Sequence, residues 1–73
     1  MMNLRDFLEL AMDDYYKLNI FDCNLEEEVL HQVEVGNIEE ELEKLGRTNL
    51  LDYFISTWDI CEERNNEFTL NIG

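Results

Sequence analysis

Apolar positions along most of this chain recur with helical spacing. Leu4, Phe7, Leu8, Ala11, Tyr15 and Leu18 follow the i, i+3, i+4, i+7 pattern of one helix face. Asn3 stands where an N-cap belongs, and Asp6 falls at the third helical position, within reach of the N-terminal dipole. The spacing predicts a first helix from about Leu4 to Lys17. The next residues, Leu18-Asn19-Ile20-Phe21-Asp22-Cys23, are too apolar for a fully exposed connector and pack either as a loop or as a short strand.

The middle of the chain contains an echo. Asn24-Leu25-Glu26-Glu27-Glu28-Val29 returns as Asn37-Ile38-Glu39-Glu40-Glu41-Leu42. In both copies an Asn can cap, a glutamate three residues on completes a capping-box-like pair, and a glutamate triplet fills the first turn. A glycine closes each copy, Gly36 and Gly46, where a helix end calls for a left-handed residue. Two short helices are expected, about 25–35 and 38–45, with buried stripes of Leu25, Val29, Val33 and of Ile38, Leu42, Leu45. Thr48 and Asn49 can cap a fourth helix whose apolar face is Leu51, Phe54, Ile55, Trp58 and Cys61, ending in Glu62-Glu63-Arg64-Asn65-Asn66. Past the double Asn the period changes to two, since Phe68, Leu70 and Ile72 alternate with Thr69 and Asn71. That strand needs a partner. Within the chain the candidate is Leu18-Asn19-Ile20, which shares the triplet Leu70-Asn71-Ile72. Otherwise the tail, residues 66–73, pairs with another subunit or stays flexible.

These elements describe a mainly α fold: one domain over residues 1–73, a bundle of about four short helices with room for a short C-terminal strand. The absence of proline favours uninterrupted helices. At 73 residues the core is small, and self-association into a homodimer would enlarge it.

Charge narrows the function. Eighteen acids against five bases give a net charge of −13, so no basic patch exists for a nucleic-acid backbone or an anionic membrane. No segment reaches the ~20 apolar residues of a membrane span, and the N-terminus lacks the basic-then-apolar run of a signal peptide. A cytoplasmic location with reduced Cys23 and Cys61 is expected. Catalytic and cofactor chemistry find no footing. Asp22-Cys23-Asn24-Leu25-Glu26 opens like a calcium loop, but Glu27 stands where the glycine should be and Val33 where the final acid should be. Glu28-Val29-Leu30-His31 has the Glu-x-x-His spacing of di-metal bundles, yet the chain has a single histidine. On a helix, His31 would lie near Glu27 and Glu34. Ser56 is the single serine and sits without a nucleophile elbow. The expectation is a non-enzymatic protein with no metal and no cofactor.

Glutamates at helix starts stabilise those helices, and acidic faces keep small proteins soluble. Neither accounts for the missing bases: Leu25 to Leu45 carries eight glutamates and one lysine. On helices, Asp6, Glu9, Asp13, Glu27, Glu34, Glu39, Glu40 and Glu43 would recur outward at three- and four-residue spacing, with neighbouring side chains about 5–6 Å apart. Such a surface can imitate a row of phosphates.

In size and acidity the chain is similar to acyl carrier proteins, without their Asp-Ser-Leu motif, since Ser56 lies in Ile55-Ser56-Thr57. It is also similar to colicin-type immunity proteins, although Tyr15-Tyr16 does not reproduce their tyrosine-pair motif. It most resembles the small DNA-mimicking inhibitors of phages and mobile elements, of anti-CRISPR and anti-restriction type. That resemblance is compositional and covers the whole chain. It implies binding to a basic, nucleic-acid-binding partner such as a Cas effector, restriction enzyme or other DNA-processing protein, through the eight acids named above. The alternative is a protein–protein adaptor, regulatory subunit or nuclease immunity protein, binding through helix faces or through Phe68, Leu70 and Ile72 of the C-terminal strand.

Overall fold

The structure, a computed structural model, describes residues 2–10, 16–61 and 67–73; at Cys61 it describes the backbone alone. A short helix, α1 (Leu4–Leu10), precedes a hairpin of β1 (Lys17–Asp22) and β2 (Glu27–Glu34). A 3-10 turn at Val35–Asn37 leads into α2 (Ile38–Lys44), and a second 3-10 turn at Thr48–Asp52 leads into a hairpin of β3 (Ile55–Cys61) and β4 (Glu67–Ile72). The four strands form one mixed sheet in the order β2-β1-β4-β3. Its two hairpins are antiparallel, and β1 joins β4 in parallel, Leu18 opposite Phe68 and Ile20 opposite Leu70.

This is an α+β arrangement, and it overturns the expected mainly α, four-helix bundle. Two of the expected helices are real. Asn3 caps α1 by accepting the Asp6 N–H on Oδ1 at 2.8 Å. Of the expected helix to Lys17, Leu4–Leu10 is helical, Lys17 already belongs to β1, and Ala11, Asp13 and Tyr15 lie outside the described residues. α2 ends in a Schellman motif: the Gly46 N–H bonds Glu43 O at 3.0 Å and the Arg47 N–H bonds Leu42 O at 2.9 Å, with Gly46 at φ +69°.

The other two are strands. The expected helix over 25–35 is β2, and Gly36 sits inside a 3-10 turn rather than at a left-handed cap. The expected fourth helix yields only the 3-10 turn before the chain extends into β3. There the β-branched and aromatic side chains of Ile55, Thr57, Trp58 and Ile60 suit a pleated surface better than a helix interior. The C-terminal alternation is correctly a strand. It pairs with Leu18-Asn19-Ile20, as one of the sequence alternatives had it, in a register that sets Ile20 rather than Leu18 beside Leu70.

One face of the sheet is the core. Leu18, Ile20, Leu30, Leu70 and Ile72 are buried there against Leu4, Val35, Ile38, Leu42, Leu50 and Leu51. Each such aliphatic side chain contributes about 1.5–3 kcal/mol on full burial. The opposite face is polar and centres on Asn19, which is 2% exposed. Its Nδ2 donates to Glu67 Oε1 and Thr69 Oγ1, both at 3.2 Å, while its Oδ1 accepts the Gln32 N–H at 2.7 Å. The β1–β2 register slips beside Asn19, and Gln32 there has φ +51°. The Asn19 amide thus satisfies a backbone donor that the ladder has displaced, and ties three strands together.

Candidate partner-binding surface

The acids expected to bind a partner fall into two groups. Asp6 and Glu9 project from α1, and Glu39, Glu40 and Glu43 from α2; all five are exposed. The two helices flank one cleft, lined by Leu8, Glu9, Val35, Gly36 and Glu39, so the fold brings Glu9 and Glu39 to a common opening. On α2, Glu39 and Glu43 are four residues apart and Glu40 and Glu43 three apart, which keeps these carboxylates neighbours on the helix surface.

Glu27 and Glu34 stand apart from that group. They lie at the two ends of β2, so the expected helical spacing does not apply to them. Glu27 accepts from Arg47 Nη1 at 2.7 Å, and Glu34 is half-buried where β2 passes into the 3-10 turn. Asp13 lies outside the described residues. His31, expected on a helix near Glu27 and Glu34, is instead on a strand. Its Nδ1 is 2.7 Å from Glu28 Oε1 and its Nε2 is 3.5 Å from Glu67 Oε1, a contact that reaches from β2 across to β4.

The described cations are largely consumed by internal pairs. Arg5 meets Asp52 at 3.2 Å, and Lys44 meets Glu41 at 3.3 Å and Glu40 at 3.9 Å. Arg47 bridges Asp22, at 2.9 Å, and Glu27. Asp22 is 1% exposed and also accepts the N–H groups of Asn24, at 2.9 Å, and Leu25, at 3.4 Å, on its second oxygen. A buried carboxylate so fully bonded is structural: it holds the β1–β2 turn and docks the end of α2 on it. Among the described residues, no cation lies within ion-pair distance of Asp6, Glu9, Glu39 or Glu43.

The C-terminal residues proposed as an alternative contact are placed differently. Leu70 and Ile72 are in the core, and β4 has β1 on one side and β3 on the other, so neither these two side chains nor an edge of the strand is open to a partner. Phe68, half-buried, is the exception. Tyr16 meets it edge-on, with ring centroids 6.0 Å apart, and Trp58 stacks on it at 5.4 Å and 18°. Sequence reasoning missed the role of Trp58, which a helical reading placed on the apolar face of the expected fourth helix, and did not single out Ile60. They are 59% and 51% exposed. The alternation of Trp58 and Ile60 with Thr57, Asp59 and Cys61 was the available signal.

Neither family models, curated proteins nor solved structures match this chain. Among the described residues no cluster of His, Cys, Asp or Glu is arranged to hold a metal ion, and no helix is long and apolar enough to cross a membrane.

Proposed function

We propose that this protein is a non-catalytic acidic binding protein that occupies a basic, nucleic-acid-binding surface of a partner, as a DNA mimic does. The observation that carries the reading is the unneutralised helical side. Arg5, Lys44 and Arg47 are held in internal pairs, while Asp6, Glu9, Glu39 and Glu43 point outward with no described cation beside them. Self-repulsion among such carboxylates works against folding, and a basic partner relieves it. Carboxylates spaced along α2 present acceptor oxygens to Lys and Arg side chains that otherwise hold phosphates. The surface steers association electrostatically, so binding weakens as salt rises.

The test is capture of partners from a bacterial lysate, elution by a salt gradient and identification by mass spectrometry. Nucleic-acid-binding proteins should be retained at low salt and released at moderate salt. The variant with Glu9, Glu39, Glu40 and Glu43 all changed to Gln should fail to retain them, with its fold checked by circular dichroism. Retention of the same proteins by that variant overturns the reading.

A further inference from the structure

The two outer strands of the sheet are built differently. β2 carries Glu27, Glu28 and Glu34, its register slips twice against β1, and Gln32 bends it through a left-handed residue. Charges and bulges of this kind keep an edge from pairing with another chain. β3 has neither device over most of its length. From Thr57 to Cys61 its register with β4 is regular, and Asp59 is its one charged residue.

Among the described residues, the outer side of β3 is closed only at its beginning. There the N-terminal segment lies against it: the Ile55 N–H bonds Met2 O at 2.9 Å, the Leu4 N–H bonds Tyr53 O at 3.0 Å, and Asn3 bridges Phe54. Beyond Ile55 no described residue pairs with that side. The side chains there alternate in kind. Trp58 and Ile60 share the face of Phe68 and Leu70, while Thr57 and Asp59 share the face of Asn71 and Thr69.

We infer that Thr57–Cys61 of β3 is a docking edge that receives an extended segment of the basic partner, added antiparallel or parallel as a fifth strand. This rests on the proposed function for the sign of the partner's charge. The segment's chemistry follows from the two faces it would border. Apolar side chains at alternate positions would cover Trp58 and Ile60, and Lys or Arg at the positions between would meet Asp59. Among the described residues, Asp59 receives only the Asn71 amide, at 3.2 Å, and no cation. Charge also argues against a second copy of this chain as the occupant. It would bring another −13, and an antiparallel pairing centred on Asp59 would set two aspartates opposite each other.

The probe is an eight-residue peptide alternating Val with Lys, titrated into the full chain and followed by the amide signals of Thr57–Cys61 in NMR spectra. Those signals should shift and become protected from hydrogen exchange, more than those of β2. Methylating alternate peptide nitrogens, which removes the strand's donors, should weaken binding by at least about tenfold, because several backbone bonds are lost. D59K should weaken it roughly fivefold, as an opposite-charge cross-strand pair becomes a like-charge one. Trp58 is exposed, so W58T tests the apolar face without emptying the core, and it too should weaken binding.

Three results overturn the inference. These are a peptide that shifts α1 and α2 while leaving β3 unmoved, an N-methylated peptide that binds as well as its parent, and β3 signals that change with protein concentration alone, which assigns the edge to a second copy. The acid-to-amide variant separates the two claims. It retains β3 and should still bind the peptide even where capture of nucleic-acid-binding proteins fails.

Discussion

Asn24–Val29 and Asn37–Leu42 are nearly the same hexapeptide, and they fold into different things. The first makes a turn and enters β2; the second enters α2. Their first hydrogen bonds explain how the likeness misleads. In the first copy Asp22 Oδ1 accepts the N–H groups two and three residues ahead. An Asx turn and a helix N-cap begin with this same bond. The chain then goes left-handed at Glu26, φ +53°, and reverses into a hairpin. In the second copy Asn37 makes no side-chain cap at all, yet the helix forms. The difference lies downstream. Val29-Leu30-His31-Gln32-Val33-Glu34-Val35 contains three valines, whereas Leu42-Glu43-Lys44-Leu45 is made of strong helix formers closed by Gly46. Tertiary structure then holds each choice: β1 supplies a ladder to the first copy, and the core buries Ile38 and Leu42 of the second.

Arg47 links the two copies, and its removal should break the contrast most severely. It terminates α2 through its own N–H and reaches back to Asp22 and Glu27 at the turn of the first copy. Arg47→Ala leaves the buried Asp22 carboxylate without its cation, and should lower stability by about 3 kcal/mol in urea unfolding. The left-handed residues Gly46 and Glu26 offer a smaller, two-signed test. Gly46→Ala meets no neighbouring atom, so its cost is backbone strain alone, about 1 kcal/mol. Glu26→Gly, at the left-handed residue inside the first copy, should instead raise stability by about 0.5 kcal/mol, part of the relieved strain being offset by glycine's entropy. The smallest effect is expected at Asn37. A working N-cap is worth about 1 kcal/mol, but since Asn37 makes no such bond, Asn37→Ala should change the unfolding midpoint by less than about 0.5 kcal/mol equivalent.

What could be read from the chain follows the same division. Local signals with one structural meaning were legible: the Asn3 cap, the left-handed Gly46 and the two-residue period of β4. Signals shared by two structures were not. Leu51, Phe54, Ile55 and Trp58 fit a helix face by spacing, but the residue types between Ile55 and Cys61 favour a strand, and pairing with β4 decides for it. The candidate surface divided likewise. Glu39, Glu40 and Glu43 stayed neighbours because α2 is a helix, while Glu27 and Glu34 separated because β2 is not. Nothing local could have joined Glu9 to Glu39, which line one cleft because α1 and α2 pack on the same core.

The parallel junction of β1 with β4 also bears on how the molecule comes into being. Asn19 and Thr69, bonded across that junction, are 50 positions apart, and no turn brings them together. Each hairpin closes on its own neighbours, but the middle of the sheet waits for β4. On a ribosome, β1 keeps one edge open until β4 has been made. Native closure therefore waits for the synthesis of β4, and a long-range pairing of this kind slows folding. A stop codon ahead of β4 would deprive β1 of its inner neighbour, and its product would be recognised in the cell as an open sheet rather than as a slightly shorter protein.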